Sequence, residues 1–236
     1  FITPLPDRKP GASAKISEML TPLRDIRVWR FSLYYVIVFG AYVAYSAILP
    51  TYYQDVFKTD LNTAALLTTT FIFPASLLRP LGGWVSDRWG ARNAMYATFV
   101  PIGAFFTILC IPSGVDDQGN AYGLPLWLVT TLIFLIGCTM GIGKAGVYKH
   151  IPTYFPHHVG SVGGLVGMLG GLGGFFLPPM FAYIQQYTGL TSTPFVVLTI
   201  LTGLTLIWMH LVISRMKREK PHQDLVDVPD ADPRPN

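Results

Sequence analysis

The chain has 236 residues, of which 51% are hydrophobic and only 13% charged, and its mean hydropathy is +0.43. Soluble domains carry about 25% charged residues, so this composition excludes an ordinary soluble domain and indicates an integral membrane protein. The net charge of +4 is small, and we read no nucleic-acid partner into it.

Six apolar segments of about 20 residues are each long enough to cross a hydrocarbon core of about 30 Å. They cover residues 29–50, 64–85, 94–112, 125–148, 160–184 and 194–214. We therefore predict a basic cytoplasmic linker at 1–27, a six-helix transmembrane bundle at 28–215 and a disordered acidic tail at 216–236. Because the chain opens with Phe1, we expect its true start to lie upstream.

The basic residues predict the orientation, since Lys and Arg are retained on the cytoplasmic side of a membrane. With both termini inside, the outer loops hold a single basic residue, Lys58, and instead carry acids such as Asp60 and Asp116. The sequence thus predicts a multi-pass protein of the inner (plasma) membrane with both termini in the cytoplasm.

The first span carries a row of aromatic side chains. Tyr35, Phe39 and Tyr42 lie three or four residues apart and share one face of a helix. Such a row either packs into a core or forms a cavity wall whose phenol groups donate hydrogen bonds to a ligand. The spacing leaves both interpretations open.

The second span contains a charge, Arg79, between Pro74 and Pro80. A charge inside an apolar span is costly, so Arg79 either snorkels to the inner interface or faces a cavity and marks function. We expect the two prolines to loosen the helix and release backbone groups toward such a cavity.

The segment GGWVSDRWGARN follows directly and carries a known pattern. Five of its residues resemble the cytoplasmic loop G-x-x-x-D-R-x-G-x-R of the major facilitator superfamily: Gly83, Asp87, Arg88, Gly90 and Arg92. The resemblance implies an all-α membrane fold, the six-transmembrane-helix half of such a transporter, built of two inverted three-helix repeats. It also implies that Asp87 caps or pairs across the interface between halves and helps set the conformational equilibrium, while Arg88 and Arg92 anchor the inner side.

The fourth span contains a second cation, Lys144, in GIGKAGVYKHIP. Gly141 and Gly143 leave room around its stem. Lys149 lies nearer the inner end, where we expect it to snorkel to the interface. Lys144 lies deeper, and it either draws an anion into the protein or carries a proton.

The fifth span is rich in glycine, which makes up eight of the fifteen residues at 160–174. Each Gly inside a helix costs about 1 kcal/mol relative to Ala, so we expect this cost to be offset by close approach of another group to the helix backbone. One stripe of the helix contains Gly160, Gly164, Gly167, Gly171 and Gly174. The stripe either lets another helix touch, as small-xxx-small pairs do, or lets backbone approach a substrate or a sliding helix. We expect Pro178 and Pro179 to break this helix near its outer end.

The charges inside the spans are unbalanced. Arg79 and Lys144 are cations, and all 13 acids fall in loops, ends or the tail. A buried cation without an internal carboxylate needs another partner, and the simplest is an anion that arrives and leaves. The planar fork of a guanidinium suits a planar oxyanion, so we expect a small anionic ligand.

Three stretches together resemble the C-terminal half of a nitrate/nitrite porter over nearly all of residues 28–215: FIFPASLLRPLGGWVSDRWG, GIGKAGVYKHIPTYFP and GSVGGLVGMLGGLGGFFLPP. The sequence of the second stretch is most similar to that of the proton-coupled nitrate importers. In that family the second helix of each half presents one arginine to nitrate, and the resemblance implies this role for Arg79. Tyr35 and Phe39 fall where the first helix of this half lines the site.

The glycine-rich run, with Gly164, Gly167 and Gly171, is similar to the family's signature helix, which is implied to slide and bend during alternating access. Other members carry a small polar residue in place of Lys144, so the resemblance gives that residue no role, and its assignment to the substrate site rests on its charge. The resemblance implies transport of nitrate or nitrite, with the proton as coupling ion and with no cofactor or metal. Complete members have twelve helices with the site between two halves, so it also implies a missing N-terminal six-helix half as partner in the lipid bilayer.

Two other functions fit the residues. The chain could belong to a porter for another small anion, such as a monocarboxylate, or it could be a non-transporting membrane module that tethers or regulates a partner. A membrane enzyme is disfavoured because the spans hold no nucleophile–base pair, metal set or acid pair.

Overall fold

The structure, a computed structural model, describes residues 19–219. Its helices are α1 (Ile26–Tyr35), α2 (Ala41–Phe57), α3 (Leu61–Leu77), α4 (Arg79–Trp89), α5 (Ala91–Leu109), α6 (Leu126–Tyr154), α7 (Val159–Thr188) and α8 (Thr193–Glu219). A π-helical turn, Val36–Gly40, joins α1 to α2, and α3 continues into α4 through a bend. Over the described residues the helices therefore form six columns, one for each predicted span.

Four of these columns are long and apolar enough to cross a membrane: Ile26–Phe57, Leu126–Tyr154, Val159–Thr188 and, within α8, Thr193–Met216. The bent pair α3–α4 makes a fifth when its two helices are counted together. Helix α5 does not reach the same combination of length and hydropathy. The predicted third span nevertheless forms a continuous helix of 19 residues.

Helix α6 lies at the centre of the bundle. It packs against α3, α4 and α5, whereas α1, the π-helical turn and α2 pack against α7, and α8 packs mainly on α5. Only 22% of the most apolar window of α8 is buried, as expected for a helix whose outer face contacts lipid. This arrangement brings the first, second, fourth and fifth columns to one shared interior.

The second column bends by 46° between α3 and α4. Leu78 has a non-helical backbone at the break, and Pro80 follows one residue after Arg79. Because proline has no N–H, the carbonyl of Ser76 loses the donor that a continuous helix would supply. The predicted loosening of this helix is confirmed, and Arg79 lies immediately after the break.

The predicted break of the fifth column at Pro178 and Pro179 is wrong. Helix α7 runs without interruption from Val159 to Thr188. Leu177 and Phe181, on either side of the prolines, are 5% and 2% exposed, so burial of neighbouring side chains holds the turn in helical geometry. Proline is tolerated in membrane helices when surrounding groups compensate for the lost hydrogen bond.

The loop after α5 forms a small hairpin that the sequence did not indicate. Strands β1 (Gly114–Val115) and β2 (Ala121–Tyr122) pair antiparallel. Asp116 accepts hydrogen bonds from the backbone of Gln118 and Asn120, and the bonds from Asn120 lower the pKa of its carboxyl. Turn chemistry thus accounts for the acid at this position.

The structure predicts a sharp difference between two adjacent glycines of α4. A Cβ at Gly82 would overlap the backbone of Ile142 on α6, whereas a Cβ at Gly83 would meet no atom within 4 Å. Gly82→Ala should therefore lower the free energy of unfolding by about 1 to 3 kcal/mol, as overpacking does, while Gly83→Ala should not lower it. Thermal unfolding of both variants in detergent checks this, and equal melting temperatures would contradict the close contact of α4 with α6.

Candidate functional site

Arg79, the first residue of α4, lies at the bend of the second column with its side chain exposed. Its guanidinium interacts electrostatically with the phenol of Tyr35 on α1 and with the ammonium of Lys144 on α6. Three residues predicted from separate spans therefore lie near one another. Together with Phe39 and Tyr42 they form a group that we call the Arg79 cluster.

Lys144 is buried, with 3% of the residue exposed. Its Nζ donates a hydrogen bond to the carbonyl oxygen of Ala75 at 3.1 Å and lies 3.2 Å from the ring centroid of Tyr42. A carbonyl oxygen and the face of an aromatic ring both favour a cation. The side chain does not snorkel, because it turns toward α3, just before the bend.

The aromatic row of the first column is continuous. Tyr35 stacks on Phe39 with ring centroids 5.0 Å apart, and Phe39 stacks on Tyr42 at 6.4 Å. Tyr35 is buried, whereas Phe39 and Tyr42 are half-buried. The hydroxyl of Tyr42 is 3.1 Å from Ser76 Oγ, so the row packs as a wall whose last member reaches the bend of the second column.

The π-helical turn Val36–Gly40 lies within this row. Gly40 permits the turn to touch α7, because a Cβ there would lie 2.5 Å from the carbonyl oxygen of Gly170 and 3.0 Å from the Cα of Gly173. Short π-helical segments are frequent at functional sites. The turn sets the angle at which Phe39 follows Tyr35.

The Arg79 cluster is cationic. Among the residues that the structure describes, the ion pairs are Arg27 with Asp25 and Lys149 with Asp87, so no described carboxylate is paired with Arg79 or Lys144. Two like charges in proximity, without a described acid, favour binding of a negative ion. The arrangement is suited to a small anion between the guanidinium and the aromatic wall.

The glycines of α7 divide between two surroundings. Gly170, Gly173 and Gly174 make close helix contacts, since a Cβ at Gly170 would overlap the ring of Tyr35, one at Gly173 would lie 3.0 Å from Val36 and one at Gly174 would lie 2.7 Å from Val43. Gly164 has no neighbour within 4 Å, while Gly171 is in ordinary contact range of Phe39. Gly167 is close to one side chain, with a Cβ position 2.7 Å from the Tyr148 hydroxyl.

The loop motif joins the ends of α4, α5 and α6. Asp87 forms an ion pair with Lys149 of α6, and the guanidinium of Arg88 lies 5.6 Å from the ring of Trp84. Gly90, with φ +78°, makes the turn between α4 and α5. Gly83 faces open space within this chain. The predicted snorkelling of Lys149 agrees with its exposure, and its partner is a residue of the motif.

Arg92 is buried and donates a hydrogen bond from Nη2 to the hydroxyl of Tyr154 at 2.7 Å. It lines a cavity with Arg30, Phe31 and His150. No member of the Arg79 cluster lines that cavity. Arg92 therefore ties α5 to the end of α6.

Sequence reasoning missed two contributors to the Arg79 cluster, Tyr148 and Gly170. Tyr148 follows Lys144 by one helical turn, so helical spacing could have placed it on the same face. Gly170 lies off the predicted stripe, and only the packing of α7 on α1 shows why a side chain is excluded there. No local signal indicated the π-helical turn.

The chain was compared with known proteins. A family model described as Major Facilitator Superfamily matches residues 31–232. The probable nitrate/nitrite antiporter NarK1 of Thermus thermophilus is 56% identical over 228 residues, which cover 93% of this chain and 52% of that protein. The probable nitrate transporter NarT of Staphylococcus epidermidis is 33% identical over 84% of this chain and 47% of its own length.

The nitrite extrusion protein of Bacillus subtilis is 30% identical over 86% of this chain and 49% of its own length. The crystal structure of the transporter FucP in its outward conformation has a similar fold, with a TM-score of 0.63 at 16% identity, over 85% of this chain and 46% of that one. The chain spans about half the length of these relatives. By the family match and by these identities, it belongs to the nitrate/nitrite porter family of the Major Facilitator Superfamily.

Proposed function

We propose that this chain is the C-terminal six-helix half of a twelve-helix transporter that moves nitrate or nitrite across the inner membrane by alternating access. The observation that carries the proposal is the Arg79 cluster, in which two cations meet beside an aromatic wall with no described carboxylate paired to either. The names of the relatives, a nitrate/nitrite antiporter, a nitrate transporter and a nitrite extrusion protein, support nitrate or nitrite as the anion.

In this proposal the guanidinium of Arg79 holds the anion through paired hydrogen bonds, and Tyr35 and Phe39 form one wall of the site. Lys144 adds positive charge from α6. Gly164, Gly167 and Gly171 let α7 move past the site. The exposure of Arg79 in this half agrees with a site completed by a second half. The N-terminal six-helix half is thus the proposed partner. Residues 28–215 are the proposed transmembrane bundle of this half.

The loop motif is proposed to set the conformational equilibrium. Asp87 and Lys149 join α4 to α6 at the end of the bundle that also carries Arg88 and Arg92. Because basic residues concentrate there, we place this end and both termini in the cytoplasm. The proton is the proposed coupling ion, which makes transport in the presence and absence of a pH gradient a direct check.

A competition experiment tests the substrate. Labelled nitrate is bound to the purified twelve-helix protein and displaced by nitrate, nitrite, formate or acetate. We expect nitrate and nitrite to displace the label at concentrations at least about tenfold lower than the two carboxylates. Equal displacement by formate or acetate would favour a porter for monocarboxylates, and no binding of any of the four would favour a non-transporting module.

A further inference from the structure

We propose that Tyr148 is a positioning residue that ties the anion site to the glycine-rich helix α7, an inference that rests on the proposed function. Tyr148 lies on α6, one turn after Lys144. Its ring meets the ring of Tyr35 edge to face, with centroids 5.0 Å apart. Its hydroxyl donates a hydrogen bond to the carbonyl oxygen of Gly163 on α7, at 3.2 Å. One side chain therefore contacts both the wall of the site and a helix proposed to move.

The hydroxyl of Tyr148 occupies a notch that only glycine leaves open. A Cβ at Gly167 would lie 2.7 Å from the hydroxyl oxygen, closer than real Cβ atoms approach other atoms, whereas one at Gly163 would be in ordinary contact with the ring at 3.7 Å. Gly160, two turns earlier on α7, has no neighbour within 4 Å of its Cβ position. Steric exclusion at Gly167 is thus directed at a single atom of Tyr148.

Tyr35 has a second support on the same helix. Gly170 lets the backbone of α7 approach the Tyr35 ring so closely that a Cβ would overlap it. The ring is therefore held by Gly170 directly and by Gly163 and Gly167 through Tyr148. A displacement of α7 moves both supports together, and because Tyr35 interacts with Arg79, the displacement reaches the anion site.

The test uses four variants of the twelve-helix transporter: Gly167→Ala, Tyr148→Phe, the two combined, and Gly160→Ala as the matched control. Gly167→Ala should weaken nitrate affinity by up to about tenfold, because the added methyl group displaces the Tyr148 hydroxyl and with it the Tyr35 ring, and overpacking of this size changes a folding equilibrium by about tenfold or more. Tyr148→Phe removes the atom that the methyl group meets and keeps the ring. The combined variant should therefore bind nitrate within about twofold of Tyr148→Phe alone, and Gly160→Ala should bind as the unmodified protein does.

The positioning role would be overturned by unchanged nitrate affinity in Gly167→Ala, or by simple addition of the two effects in the combined variant. Thermal unfolding of the same proteins tests the contact without nitrate. If Tyr148→Phe restored the stability of Gly167→Ala but not its affinity, Tyr148 would be a packing residue only. Failure of the unmodified protein to bind nitrate would instead contradict the proposed function. In that case, rescue of the stability of Gly167→Ala by Tyr148→Phe would still show that the Tyr148 hydroxyl contacts α7 at Gly167.

Discussion

Arg79→Lys should abolish most nitrate affinity in the twelve-helix transporter while the protein still inserts in the membrane. A lysine ammonium keeps the charge but cannot reproduce the planar fork of donors that suits a planar oxyanion. Loss of one charged hydrogen bond in a desolvated site costs about 2 to 5 kcal/mol, which is a rise in the dissociation constant of at least about 30-fold. Equilibrium binding of labelled nitrate measures the effect.

The matched control is Arg215→Lys, the same change at an exposed position near the end of α8. We expect it to bind nitrate as the unmodified protein does. Unchanged affinity in Arg79→Lys would remove Arg79 from the site, and an equal loss in both variants would point to a general effect of arginine on folding.

Lys144→Gln should weaken nitrate affinity by about tenfold or more and leave the pH dependence of uptake intact. The ammonium is buried between the Ala75 carbonyl and the Tyr42 ring, where its attraction for a nearby anion is screened less than it would be in water. We expect the role to be attraction of the anion, since family members without this lysine are implied to bind nitrate as well. Affinity and pH-dependent uptake are measured on the same preparation, with Lys58→Gln at an exposed turn as the control.

The alternative role for Lys144 gives a different pattern. If Lys144 carries the coupled proton, Lys144→Gln flattens the pH dependence of uptake while exchange of nitrate across the membrane persists. A variant that is normal in both measurements would show that the Ala75 and Tyr42 contacts serve only to fasten α6 to the bend between α3 and α4.

Much of this fold could be predicted from the sequence, because a bilayer demands long apolar helices. All six columns were predicted, with every end within seven residues of its place in the structure, and so was the loosening of the second column around Arg79. The predicted break of α7 at its prolines was wrong, because buried neighbours such as Leu177 and Phe181 hold that turn in helical geometry.

The candidate site was predictable only in part. Arg79 and Lys144 stand out because a charge in an apolar span is conspicuous. Helical spacing in one span cannot show which helix lies opposite, so the roles of Gly170 and Tyr148, which depend on the packing of α7 against α1 and α6, became visible only in three dimensions. The π-helical turn is likewise a product of packing around Gly40.

Uptake of labelled nitrate into liposomes tests whether Arg79 belongs to one side of a two-sided site that needs both halves of the transporter. Liposomes containing the twelve-helix protein, with this chain as its C-terminal half, are compared with liposomes containing the 236-residue chain alone. We expect nitrate accumulation by the twelve-helix protein and none by the chain alone. Uptake by the chain alone at the rate of the twelve-helix protein would contradict the two-sided site.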